Sequence, residues 1–284
     1  MKAEKNAVDY KLICCDIDGT LLNSKNKISN LQKSCIDWAI NEKGITFVLI
    51  SARMPSAINE IQKELHLDNV SIGYSGAYIY DNNNVYYQKA INLYVAEQLC
   101  VISKNLGLQV SLYVENKWYV NRINEFVENE INAVHITPTI IDLDSVMKEC
   151  NTNQKNIYKL IVTSPHVEKI AEFKKAILYM VESHLPFQTG YANDHLVEIM
   201  PENVSKGKAV YELCRMLQIS PSHVIAIGDS NLDISMIEIA GYGVAMGNAV
   251  RELKAKADYI TETNDEDGVA TAIQRIFQNK NTSA

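Results

Sequence analysis

Short apolar runs punctuate the first third of the chain, each bounded by polar or turn-forming residues. Leu12 to Cys15 ends in acidic residues and Gly19, which predicts a buried parallel strand opening into a loop. A helix is expected from about Leu31 to Asn41, stopping near Gly44. Thr46 to Ile50 reads as a second strand, Pro55 to Leu65 as a helix with Pro near its start, and Val70 to Tyr74 as a third strand. Strands alternating with helices imply a doubly wound α/β fold of the Rossmann-like kind, built on a parallel sheet.

The pattern changes near Tyr80. Asp81 to Asn84 is a polar turn, and Leu108 to Tyr113 and Lys117 to Asn121 flank Glu115-Asn116 as in a hairpin. A strand at Ile157 to Val162, an amphipathic helix from Val167 to Val181 and a loop from Pro186 to Asn193 complete an inserted α+β module. The expected organisation is therefore a core over 1–83, the insertion over 84–190, and the rest of the core over 191–284. In that last part His195 to Met200 and His223 to Ile227 read as strands and Val204 to Leu217 as a helix. A helix from Leu232 to Ala240, a strand from Gly243 to Met246 and a helix from Asp267 to Phe277 follow.

Composition narrows the possibilities. Of 284 residues, 47% are hydrophobic and 21% charged, which suits a folded globular chain. The net charge of −7 and the lack of any dense Lys/Arg cluster argue against a nucleic-acid ligand. Neither a signal-like apolar leader nor a membrane-length apolar segment is visible, so no membrane partner and a cytoplasmic location are expected. The six cysteines lack C-x-x-C spacing and read as reduced core residues; the six histidines lack metal-ligand spacing. No heptad seam appears, and monomer or homodimer both fit.

The chemistry concentrates where strands end. Asp16 and Asp18 follow the first strand, and Asp229 and Asp233 follow His223 to Ile227, at the edge where open α/β sheets bind ligands. A pair of Asp residues by itself more often caps a helix or decorates a loop. Four carboxylates converging on one place require a cation, and hard oxygen ligands point to Mg²⁺. Ser51 ends the second strand and Lys206 opens a helix; a hydroxyl and an ammonium both suit a phosphoryl group.

The segments DIDGTLLNS (Asp16 to Ser24), ISAR (Ile50 to Arg53), VSKGKAV (Val204 to Val210) and GDSNLDISMI (Gly228 to Ile237) resemble the four ordered motifs of the haloacid dehalogenase (HAD) superfamily. Their spacing, together with GYSGAYIYD, VAMGNAV (Val244 to Val250) and DEDGVATAI (Asp265 to Ile273), resembles the Cof-type, class IIB branch. The resemblance implies a HAD core with a C2-type cap between Ser75 and the strand before Lys206. It also implies a Mg²⁺-dependent phosphatase acting on a small phosphorylated metabolite, a sugar phosphate or a phosphorylated cofactor, through an aspartyl-phosphate.

In that scheme Asp16 is the nucleophile and Asp18 the general acid and then base. Asp16, Asp18 through its carbonyl, Asp229 and, in direct or water-mediated support, Asp233 hold the metal. Ser51, Lys206, Ser75, Gly76 and Asn248 serve the phosphate. Ala52, Ser75 and Leu232 depart from the pattern, standing where Gly, Asn and Asn are usual. The last two departures motivate an alternative, a non-catalytic sensor of a phosphorylated metabolite. A phosphotransferase or mutase is a third reading, although such members usually carry the cap directly after the first motif. A receiver domain has similar residues but is far shorter and lacks a cap. Tyr113, Trp118, Tyr119 and Tyr191 are candidates to line a pocket, although aromatic residues at strand spacing are more often core.

Overall fold

The computed structural model describes residues 8–190 and 193–278. The chain forms two compact units. One comprises the chain through Ala52, Ile58–Tyr87 and the chain from Ser205 onward; the other comprises Arg53–Ala57 and Gln88–Val204.

Among the described residues the first unit is organised on an eight-stranded sheet. Its order is Tyr259–Ile260, Tyr242–Ala245, Val224–Gly228, Leu12–Asp16, Thr46–Ile50, Ser71–Gly73, Tyr78–Tyr80, Val85–Gln88. The first six strands run parallel, and Tyr78–Tyr80 turns back antiparallel on Ser71–Gly73. Leu12–Asp16 is buried along its whole length, which is why it reads as an unbroken apolar run instead of an alternation. Helix Asn30–Lys43 starts on Ser29, whose hydroxyl accepts from the Gln32 amide. It ends on Gly44 at φ 65°, the left-handed conformation that glycine adopts without steric cost.

Register sets the chemistry. Asp16 pairs with Ile50, and Cys15 pairs with Ile227, so the carboxyl ends of three adjacent strands finish level. Ser51 follows one of them and Asp229 another, and both arrive at the same edge as Asp16.

The second unit is built on a six-stranded sheet: Phe187–Gly190, Leu196–Pro201, Ile157–Thr163, Gln109–Val114, Lys117–Val120, Thr139–Ile140. Helices Leu93–Asn105, Leu143–Asn153 and Val167–Glu182 contribute to a separate apolar core containing Val95, Leu99, Val146, Phe173 and Ile177, packed with Val110, Leu112, Leu160 and Val162 of the strands. Two expectations change here. The strand read at His195 to Met200 was assigned to the parallel sheet, but Leu196–Pro201 pairs antiparallel with Ile157–Thr163 and belongs to this unit. Part of the loop expected from Pro186 to Asn193 is also an edge strand, Phe187–Gly190. A short apolar run records burial without naming its partner, so the sequence placed the run correctly and its sheet wrongly. The second unit therefore extends to Val204.

All six cysteines are buried and unbridged. No helix among the described residues is long and apolar enough to cross a membrane.

Within the first unit, the helix Lys206–Leu217 crosses the helix Ile234–Ile239 at very short range. A Cβ on Gly207 would lie 2.3 Å from the Ser235 carbonyl oxygen, a backbone atom that cannot swing away. Gly207→Ala is therefore expected to destabilise the chain by about 1–3 kcal/mol, as overpacking does. The shift of the denaturant midpoint measures it.

Candidate active site

Asp16, Asp229 and Asp233 meet at the carboxyl edge of the parallel sheet, each offering an oxygen within 4.8 Å of the others. Asp16 is only 5% exposed and Asp233 is fully buried. Lys206, the first residue of its helix and 3% exposed, donates from Nζ to Asp16 Oδ1 and to Asp233 Oδ1, both at 2.5 Å. The helix start is fixed by Ser205, whose hydroxyl accepts from the Lys208 amide at 3.2 Å.

Asp233 is committed on both oxygens. Its Oδ2 accepts from the Asp229 amide (3.1 Å), the Ser230 amide (2.8 Å) and the Ser230 hydroxyl (2.8 Å), while Oδ1 takes Lys206. Gly228 makes this possible, because a Cβ there would meet Asp233 Cβ at 2.5 Å. Asp229 receives the Thr20 hydroxyl at 3.0 Å and lies against Gly19, where a Cβ would fall 2.5 Å from its Oδ2. Gly19 also sits at φ 76°, a region glycine enters freely.

Burial pushes the Asp16 carboxyl well above its ordinary range; Lys206 pulls it back, and Asp233 and Asp229 add to the rise. Asp229 is also pushed up, first by burial and then by Asp233, with Thr20, Asp16 and Lys206 opposing. Lys206 stays cationic, because its two carboxylate partners outweigh the loss of water. Three carboxyl groups against one ammonium form an oxygen-rich site whose full ionisation needs further positive charge. A hard divalent cation fits that donor set and that charge.

The other expected site residues fall as follows. Asp18 is exposed in the turn after Asp16 and bridges to Leu22. Ser51 is buried; its amide donates to the Ile72 carbonyl and its carbonyl accepts the Ser75 amide, both at 2.9 Å. Ser75 is buried at φ 55°, and its hydroxyl oxygen has no hydrogen-bond partner among the described residues. Gly76 sits at φ 105°, with Ser205 carbonyl 2.5 Å from where a Cβ would be. Asn248 spends both ends of its amide on backbone, Nδ2 to the Gly19 carbonyl at 2.8 Å and Oδ1 from the Asn264 amide at 3.0 Å.

Of the departures, Ala52 avoids the left-handed region and Leu232 is exposed in a short turn before Asp233. In the second unit Tyr113 and Trp118 stack at 5.7 Å and are buried, as is Tyr119. Tyr191 lies outside the described residues. Sequence reasoning assigned no role to Thr20, Ser230 or Asn264. Thr20 and Ser230 stand inside quoted motifs, beside Gly19 and Asp229, and that adjacency was the available signal.

Removing the Asp233 carboxylate would leave the Lys206 ammonium with Asp16 alone and would deprive the 229 and 230 amides and the Ser230 hydroxyl of their acceptor. Asp233→Ala is expected to cost about 3–5 kcal/mol of stability, the scale for breaking a buried pair. Urea denaturation reads the loss.

Comparison with known proteins places the chain in a family. The family model of haloacid dehalogenase-like hydrolases matches residues 13–273. YcsE of Bacillus subtilis, a 5-amino-6-(5-phospho-D-ribitylamino)uracil phosphatase, is 30% identical over 278 residues, spanning 96% of this chain and 98% of its own. A haloacid dehalogenase-like hydrolase from Bacteroides thetaiotaomicron superposes with a TM-score of 0.85 at 29% identity, over 94% of this chain and 100% of its own. The HAD subclass IIB sugar phosphatase BT4131 superposes at 0.77 and 25% identity, over 93% and 98%. With the matched model spanning most of its length and the acidic edge in the matched segment, the chain belongs to the haloacid dehalogenase-like hydrolases, in their Cof-type branch, and is a phosphatase of that family.

Proposed function

We propose that the chain is a Mg²⁺-dependent phosphomonoesterase that releases phosphate from a small sugar phosphate or phosphorylated cofactor by way of an aspartyl-phosphate on Asp16. The observation that carries this reading is the buried Asp16 carboxylate, held at 2.5 Å by the Lys206 ammonium beside two further carboxylates. A carboxylate so placed can be aimed without being neutralised.

An Asp16 oxygen attacks phosphorus in line; the Asp16–phosphorus bond forms as the bond to the alcohol oxygen breaks, and Asp18 gives that oxygen its proton. Asp18, now a carboxylate, takes a proton from water. The water oxygen bonds to phosphorus, the Asp16–phosphorus bond breaks, and orthophosphate leaves. Lys206 and the Ser51 hydroxyl stabilise the phosphoryl oxygens as charge moves, with Ser75 and Gly76 lining the same end. Asp16, the Asp18 carbonyl and Asp229 would hold Mg²⁺, which offsets the charge of the transferring phosphoryl group when bound. Asp233 supports that site, directly or through water, and orders it through Lys206 and the 229–230 amides.

A polyol or sugar leaving group is supported by two relatives: YcsE is named for a phosphoribityl substrate and BT4131 for sugar phosphates.

Three outcomes follow for a panel of sugar and cofactor phosphates assayed by phosphate release. The wild type is expected to need Mg²⁺ and to stop in EDTA. Asp16→Asn is expected to remain folded and inactive, and appreciable turnover in that variant would refute the covalent route. Lys206→Ala is expected to lose about 3–4 kcal/mol of transition-state stabilisation in kcat/KM, the scale of a lost oxyanion donor. Thermal unfolding gives a readout independent of turnover: Mg²⁺ should raise the Tm of the wild type and leave that of Asp229→Ala unmoved.

A further inference from the structure

The turn that carries Asp18 is fastened to the rest of the first unit from the far end of the chain. Within the turn the Thr20 and Leu22 amides donate to the Ile17 carbonyl at 3.4 and 2.9 Å, and Asp18 bridges to Leu22. Besides the Thr20 hydroxyl on Asp229, further fastenings come from residues more than 200 positions away. Asn248 Nδ2 donates to the carbonyl of Gly19, the residue after Asp18, at 2.8 Å. Asn264 Nδ2 donates to the carbonyl of Leu22, the residue across the turn from Asp18, at 2.9 Å. The two asparagines are joined, because the Asn264 backbone N–H donates to Asn248 Oδ1 at 3.0 Å. One residue further on, Asp265 Oδ1 accepts the Ser24 amide at 2.8 Å, and that bond holds its carboxyl below the ordinary range.

The two carbonyls are chosen with consequence. Gly19 and Leu22 bracket Asp18, one along the chain and one across the turn, so pinning both fixes the Asp18 backbone from two sides. Asp18 itself is exposed in that turn. A group that must give a proton to one oxygen and then take one from water has to stay within hydrogen-bond reach through both steps.

We propose that Asn264, acting with Asn248, is a positioning residue for Asp18: the linked pair of side-chain amides holds the turn so that the Asp18 carboxyl stays in reach of the leaving oxygen. Neither asparagine touches the reacting atoms in this account. The inference rests on the general-acid role proposed above for Asp18, and the test separates the two.

The test compares kcat/KM for an alkyl phosphate, whose leaving oxygen needs a proton, with that for p-nitrophenyl phosphate, whose phenolate leaves without one. In Asn264→Ala the alkyl phosphate should lose about 10-fold, a share of the ~10²–10⁴ that general acid catalysis contributes, while p-nitrophenyl phosphate loses less than about 3-fold. Asn248→Ala should show the same split, and it carries the test if Asn264→Ala does not fold. Equal losses for both substrates, or none, in the variant assayed would overturn the positioning role, since a merely structural defect does not distinguish leaving groups. Asp18→Asn is run alongside. If it shows the split and the asparagine variant does not, this inference fails and the general-acid role stands; if Asp18→Asn shows no split, the general-acid role itself fails, and this inference with it.

Discussion

The structure turns on one buried ammonium. Lys206 lies between Asp16 and Asp233 at 2.5 Å from each, almost out of reach of water. Removing three ionised groups from water costs several kcal/mol per ion unless each is met by charge and hydrogen bonds. Asp233 meets the requirement by accepting four donors, and Lys206 by donating to two carboxylates. Much else in the first unit serves that cluster. Gly207 lets the Lys206 helix approach its neighbour, Gly228 makes room for Asp233, and the parallel register brings three strand ends level.

The same cluster gives Asp16 its chemical character. A carboxylate in bulk water is a poor nucleophile toward a phosphate dianion, because like charges repel and both partners are well hydrated. Here burial has already stripped the carboxylate, Lys206 directs it, and the excess negative charge of the site suits a divalent cation. Asp18 has the opposite surroundings: an exposed turn held by its backbone neighbours, suited to a group that exchanges protons with solvent. Two carboxyls two residues apart thus receive different environments, which suits the different chemistry proposed for each.

Much of this was legible in the sequence because it follows from strand ends. Asp16, Ser51 and Asp229 each stand where an apolar run stops, and a parallel sheet brings such ends together. Lys206 was legible as a cation at a helix start. Harder to read was which oxygen faces which donor: Asp233 accepts Lys206 on one oxygen and the 229 amide, the 230 amide and the Ser230 hydroxyl on the other. Side-chain to backbone bonds across more than 200 residues, such as Asn264 to Leu22, leave no periodic trace at all. The run at Leu196–Pro201 was visible as a strand, but pairing is a long-range choice, and its antiparallel partner Ile157–Thr163 could not be picked from pattern alone. Ser75 keeps a left-handed backbone at a non-glycine residue, with a hydroxyl that has no partner among the described residues, a local cost no propensity would have suggested.

The central claim is that Asp16 carries the phosphoryl group. An acyl phosphate, unlike a free carboxylate, is reduced by borohydride to the alcohol, so quenching the turning-over enzyme with borohydride and mapping its peptides by mass reads the claim directly. The account predicts conversion of the Asp16 side chain to that of homoserine, dependent on substrate. An unaltered Asp16 peptide at full turnover, with the reduced mass on another residue or on none, would contradict it.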